Sequence, residues 1–95
     1  MENAYEISFH EDVLKKDVPK IGREVARYIL KLIDEKLSKN PEVFGKPLRY
    51  SLKNYRTLRT GDYRVIFKID SSKVKVLAIG NRKDIYNEIL KRIMR

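Results

Sequence analysis

Side chains that bind phosphate and side chains that stack on bases stand next to one another in this chain. Tyrosine and arginine are neighbours at Tyr55-Arg56 and Tyr63-Arg64, and Arg82 lies four residues before Tyr86. Guanidinium groups form charge-assisted, often paired hydrogen bonds with phosphate, while aromatic rings stack on unpaired bases. The mixture suits RNA. Among the tyrosines, Tyr86 is the functional candidate, because Ile85 and Ile89 already supply a buried helical face. Tyr63, which opens an alternating strand, reads as filler at the edge of a small core.

Conventional catalytic sets are missing from the sequence. There is no cysteine, which excludes thiol catalysis, disulfides and cysteine-based zinc sites. The single histidine, His10, excludes a multi-histidine metal cluster and reads as an ordinary surface residue. The acids form no spaced carboxylate pair. The four glycines are isolated and build no phosphate loop or dinucleotide fingerprint. No metal or cofactor is expected.

The net charge of +9 is unevenly distributed. Residues 1–45 hold eight Lys/Arg against nine Asp/Glu, and residues 46–95 hold fourteen against four. From 46 to 64, the cations Lys46, Arg49, Lys53, Arg56, Arg59 and Arg64 face one acid, Asp62. Ion-pair networks that serve thermal stability would raise acids and bases together. Here the acids drop out, so the basic half points to a polyanion or an acidic protein partner.

The elements that must position these residues follow from hydrophobic spacing. Ninety-five residues make one domain, 1–95, and a 42% hydrophobic content can form a core and is too high for a disordered tail. Residues 5–9 alternate as a strand, and 10–16 form a short helix anchored by Val13 and Leu14. Asp17-Val18-Pro19 is a helix start, with Asp17 as cap. Ile21, Val25, Tyr28, Ile29, Leu32, Ile33 and Leu37 then predict one long amphipathic helix that Asn40-Pro41 stops. An extended stretch around 48–52 comes next, then strands at 55–59, 63–69 and 74–79, turning at Gly61-Asp62 and at 70–73. A short terminal helix capped by Asp84 carries Ile85, Ile89, Leu90 and Ile93, with Lys91, Arg92 and Arg95 at its negative end. The order β-α-α-β-β-β-α predicts an α+β fold. In it an N-terminal helical hairpin packs on a small antiparallel sheet with a mixed edge. No apolar run approaches the ~20 residues of a membrane span, and the acidic opening segment is unlike a signal peptide. A cytoplasmic protein without membrane contact is the expectation.

The run Tyr55-Arg56-Thr57-Leu58-Arg59-Thr60-Gly61-Asp62-Tyr63-Arg64-Val65-Ile66-Phe67, together with Gly80-Asn81-Arg82-Lys83-Asp84-Ile85-Tyr86, resembles the signature of the RelE/ParE toxin superfamily. Element order and length resemble it too, so the likeness covers essentially the whole chain. The late arginine and tyrosine favour the RelE branch, whose members cut mRNA in the ribosomal A site. The resemblance implies that Arg64 holds the scissile phosphate and stabilises its transition state. It implies that Arg82 assists with charge on the phosphate or leaving oxygen. Tyr86 would stack on a base and is a candidate to take the 2′-hydroxyl proton. Lys53, Arg56, Arg59 and Lys83 would line the RNA groove. Some relatives carry lysine where Thr57 stands, and many carry histidine where Asn81 stands. Asn cannot shuttle a proton, so the general acid and base stay unassigned.

RNA brings its own nucleophile in the 2′-hydroxyl, so such a protein needs only to align it, take a proton and neutralise charge. The partners implied are the ribosome with its mRNA, including ribosomal RNA contacts, and an acidic RelB-like antitoxin covering Arg59, Arg64 and Arg82. The alternatives are a ParE-like inhibitor of DNA gyrase that acts by protein contact, and an inactive toxin serving only in a repressor complex.

Overall fold

The computed structural model describes residues 4–94; Arg95, expected at the negative end of the last helix, lies outside them. Strand β1, Glu6–Phe9, opens the fold, and a π-helical turn, Val13–Asp17, leads into helix α1, Val18–Ile21. Helix α2, Arg23–Leu32, continues through a second π-helical turn, Ile33–Leu37. After α3, Pro41–Phe44, come the short strand β2, Lys46–Pro47, and a 3-10 turn, Tyr50–Leu52. Strands β3, Arg56–Thr60, β4, Tyr63–Asp70, and β5, Lys73–Asn81, precede helix α4, Ile85–Ile93.

The five strands form one sheet in the order β1-β5-β4-β3-β2. Only the β1–β5 pair is parallel, so the fold is the expected α+β arrangement with a mixed edge. Helices cover both faces. Ile29, Ile33 and Leu37 of the α2 run, with Val13, pack on Leu58, Val65, Phe67, Val74, Val76 and Ile79. On the other face Ile85 and Ile89 of α4 pack on Ile66, Leu77 and Ala78. Successive strand residues point to opposite faces, so β4 can feed both cores from Val65, Ile66 and Phe67. On β5 the register passes from Ile66↔Ala78 to Phe67↔Val76, leaving Leu77 as an extra residue. That bulge lets Leu77 and Ala78 both serve the α4 side while Val76 and Ile79 serve the other.

Several expectations are corrected. The single long helix is broken at Gly22, whose φ of 96° belongs to a region open mainly to glycine. Apolar spacing runs across the break because Ile21 and Val25 still pack on the same core. The expected hairpin is therefore a helix pair with a one-residue joint. Asp17 caps nothing: its side chain is buried and bonded elsewhere. Asp84 occupies the N-cap position of α4 without a side-chain capping bond. Leu14 and Tyr28, read as anchors, are 57% and 59% exposed. The extended stretch expected around 48–52 is a turn, and the strand lies just before it at β2.

Candidate nucleic-acid interface

Strand alternation sorts the basic residues between the faces. Leu58 and Val65 belong to the core under α2, so Arg59 and Arg64 point to the opposite side, with Ile66 and α4. The register sets Arg59 directly opposite Arg64 and Arg64 opposite Gly80. A Cβ on Gly80 would lie 3.2 Å from Ile85 Cδ1, so the first turn of α4 sits over the strand beside Arg64. Like charges facing each other across a strand pair are destabilising. An anion between them would reverse the sign.

The Gly61-Asp62 turn organises the other side of this patch. Gly61 has φ 61°, the positive value needed at the first position of a tight hairpin turn. Arg64 Nη1 donates to the Gly61 and Tyr63 carbonyls, both at 2.8 Å. Its Nε and Nη2 donors have no partner among the described residues. The Arg82 N–H donates to the Asp62 carbonyl at 2.8 Å, and its Nε stands 3.8 Å from Asp62 Oδ1. One turn thus gathers Arg64 and Arg82 although 18 positions separate them. Tyr86 is half-buried against the α4-side cluster that contains Ile66, two residues from Arg64 on the same face.

The remaining sequence candidates are placed differently. Arg56 points to the α2 side by alternation, and its Nη1 donates to the Gly45 carbonyl at 3.0 Å. It ties the segment after α3 to the sheet and stands apart from Arg64. Lys53 and Lys83 are exposed; the backbone N–H of Lys83 donates to Asn81 Oδ1 at 2.9 Å and that of Lys53 to the Tyr50 carbonyl at 3.1 Å. Thr57 faces the Arg59 side but is buried, and its hydroxyl has no hydrogen-bond partner. Among the described residues no group of three or more acids, histidines or cysteines could hold a metal. No helix among them is long and apolar enough to cross a membrane.

Sequence reasoning missed a buried ion pair that fixes α4. Arg92 has a side chain only 1% exposed and forks onto Asp17, Nη1 to Oδ2 at 2.8 Å and Nη2 to Oδ1 at 2.5 Å. Arg92 Nη1 also donates to the carbonyl of the bulged Leu77, and the Ile79 N–H donates to Asp17 Oδ2. Glu88 Oε2 lies 3.2 Å from Arg92 Nε. Burial alone would lower the pKa of Arg92, but Asp17 and Glu88 outweigh it and hold the guanidinium more firmly charged. A cleft of about 310 Å³ lies between α1 and α4, with Asp17 and Arg92 in its wall and none of the sequence-predicted site residues lining it. No local signal marks a pair 75 positions apart.

Residues 7–86 match the family described as the ParE toxin of the type II toxin–antitoxin system parDE. The chain belongs to the RelE/ParE toxin superfamily. Toxin RelE of Mycobacterium tuberculosis is 32% identical over 73 residues, 75% of each chain. Toxin RelG of the same organism is 31% identical over 74 residues, 76% of this toxin and 85% of the relative. A chain of the M. tuberculosis toxin–antitoxin complex RelBE2 superposes with a TM-score of 0.77 at 28% identity, over 85% of this toxin and 94% of that chain. The RelB–RelE complex from Methanococcus jannaschii shares the fold, with a TM-score of 0.57 at 23% identity over 85% and 96% of the two chains.

Proposed function

We propose that this toxin is a ribosome-dependent endoribonuclease that cuts mRNA in the ribosomal A site and so arrests translation. The observation that carries the reading is the directly opposed Arg59–Arg64 pair beside α4, with Arg82 joined to it across the Gly61-Asp62 turn. Three guanidinium groups around one open patch suit a phosphate whose negative charge grows in the transition state, often the largest catalytic term. The 2′-oxygen of the substrate would attack phosphorus as its proton leaves, and the bond to the 5′-oxygen would break as that oxygen gains one. The products are a 2′,3′-cyclic phosphate and a 5′-hydroxyl. Arg64 is the phosphate ligand, Arg82 stabilises the phosphate or leaving oxygen, and Tyr86 stacks on a base, with Arg59 and Lys83 along the RNA. Tyr86 is also a candidate for the proton of the 2′-hydroxyl. A site so poor in tuned bases gains most from mRNA already positioned by the ribosome.

The cytoplasm, where ribosomes and mRNA meet, is the compartment this activity needs. An acidic antitoxin is the proposed partner, supported by relatives solved as toxin–antitoxin complexes and by the basic half of the chain. The ParE description of the matched family favours one other reading, inhibition of DNA gyrase by protein contact. The two separate in parallel assays with purified toxin. The nuclease reading expects truncated mRNA ending in 2′,3′-cyclic phosphate from translating ribosomes, and unaltered supercoiling by gyrase. Intact mRNA with trapped gyrase–DNA complexes would decide for the other.

A further inference from the structure

We propose that Tyr50 is a base-stacking residue of the RNA groove, holding a nucleotide away from the scissile phosphate; this rests on the nuclease reading of the Arg64 face. Tyr50 is 89% exposed, the most exposed of the large apolar side chains described. Its φ of 60° lies in the left-handed region, uncommon and costly for a residue with a Cβ. Neither packing nor backbone comfort accounts for tyrosine there.

The turn that presents the ring is pinned. The Leu48 N–H donates to the Tyr55 carbonyl at 2.9 Å, Lys53 N–H to Tyr50 at 3.1 Å, and Tyr55 N–H to Leu52 at 2.9 Å. Leu48 and Leu52 pack into the cluster that also holds Tyr86, so the loop folds over the α4 side of the sheet. Tyr55 and Arg59 share that face four strand residues apart, about 13 Å, which separates the base of the loop from the phosphate patch. Arg49 precedes Tyr50 and Lys53 follows three residues later, both exposed, and no acid occurs between Glu42 and Asp62. A ring with neighbouring cations is how single strands are held without sequence reading. A protein partner would want more apolar surface beside the ring, and both leucines of the loop are turned inward.

The test exploits the left-handed backbone. Tyr50→Gly removes the ring while easing the turn, and Tyr50→Phe keeps the stacking surface. Binding of fluorescent octamers of 2′-O-methyl adenosine and 2′-O-methyl uridine, which cannot be cleaved, is followed by anisotropy beside thermal unfolding. Tyr50→Gly should bind the adenosine octamer about 5- to 150-fold more weakly, with an unfolding midpoint no lower than that of the unaltered chain. Tyr50→Phe should match the unaltered chain. Preference for adenosine over uridine should shrink in the glycine variant alone, because the larger base stacks better. Unchanged affinity in Tyr50→Gly, with a loss in Arg64→Ala, overturns the assignment of Tyr50 and leaves the nuclease reading standing. Unchanged affinity in Arg64→Ala counts against that reading itself. A Tyr50→Gly defect confined to antitoxin binding also overturns the proposal.

Discussion

Arg64 is held by the backbone of its own hairpin turn. Its Nη1 donates to two turn carbonyls, while Nε and Nη2 have no partner among the described residues. Tyr86 is half-buried, so its ring can be a platform whether or not its hydroxyl takes part. Two substitutions separate the roles in single-turnover cleavage. If Tyr86 acts by stacking, Tyr86→Phe stays nearly active, while Tyr86→Ala loses the ~1–3 kcal/mol a stacked base supplies. If it takes the proton, both variants fail; full activity in both would remove Tyr86 from the mechanism. The sequence names Arg59 and Arg64 in one run and Arg82 in a second, and strand alternation gives the first two a common face. The same alternation sets Arg56 on the opposite face, although the family resemblance implied a place for it in the groove. The orphan hydroxyl of Thr57 and the left-handed backbone of Tyr50 depend on what packs around them, which no spacing encodes.

At the scale of elements, α4 is the part whose hold on the fold matters most. Nine residues are too few for a stable helix in isolation, so its position comes from Ile85 and Ile89 and from Arg92. Burying each isoleucine contributes about 1.5–3 kcal/mol. Arg92 joins α4 to Asp17 before α1 and to the bulge at Leu77, three elements at one guanidinium. Arg92→Met leaves Asp17 buried without its cation and should destabilise the toxin by about 3–5 kcal/mol in urea denaturation. Asp17→Leu combined with Arg92→Met should recover much of that loss. An unchanged midpoint in the single variant would mean that packing alone holds the helix. Periodicity revealed β1, β3, β4 and β5, their hairpin turns and the terminal helix, while the two-residue β2 is too short to show a period. It carried the long helix through Gly22 because the apolar stripe continues there. It assigned Asp17 to a cap and Arg92 to the helix dipole, the local roles available to residues whose true partner is remote.

The whole molecule concentrates its positive charge in the half that builds β3, β4, β5 and α4, whereas the helices of the other face are nearly balanced. An acidic antitoxin should therefore associate quickly at low salt, with an on-rate that falls steeply as salt is added while the off-rate hardly moves. Stopped-flow binding across a salt series checks this; a salt-insensitive on-rate would contradict it. Composition made the charge asymmetry plain, but only the sheet register shows that Arg59 and Arg64 meet face to face beside α4. That juxtaposition carries the proposal of mRNA cleavage, and toeprinting on ribosomes programmed with a defined mRNA tests it most directly. The unaltered toxin should give a cut within the A-site codon, and Arg64→Ala, still folded, should cut about 100- to 1000-fold more slowly, the scale for losing one transition-state donor. Intact mRNA with the unaltered toxin, or cleavage by Arg64→Ala at the same rate, would contradict it.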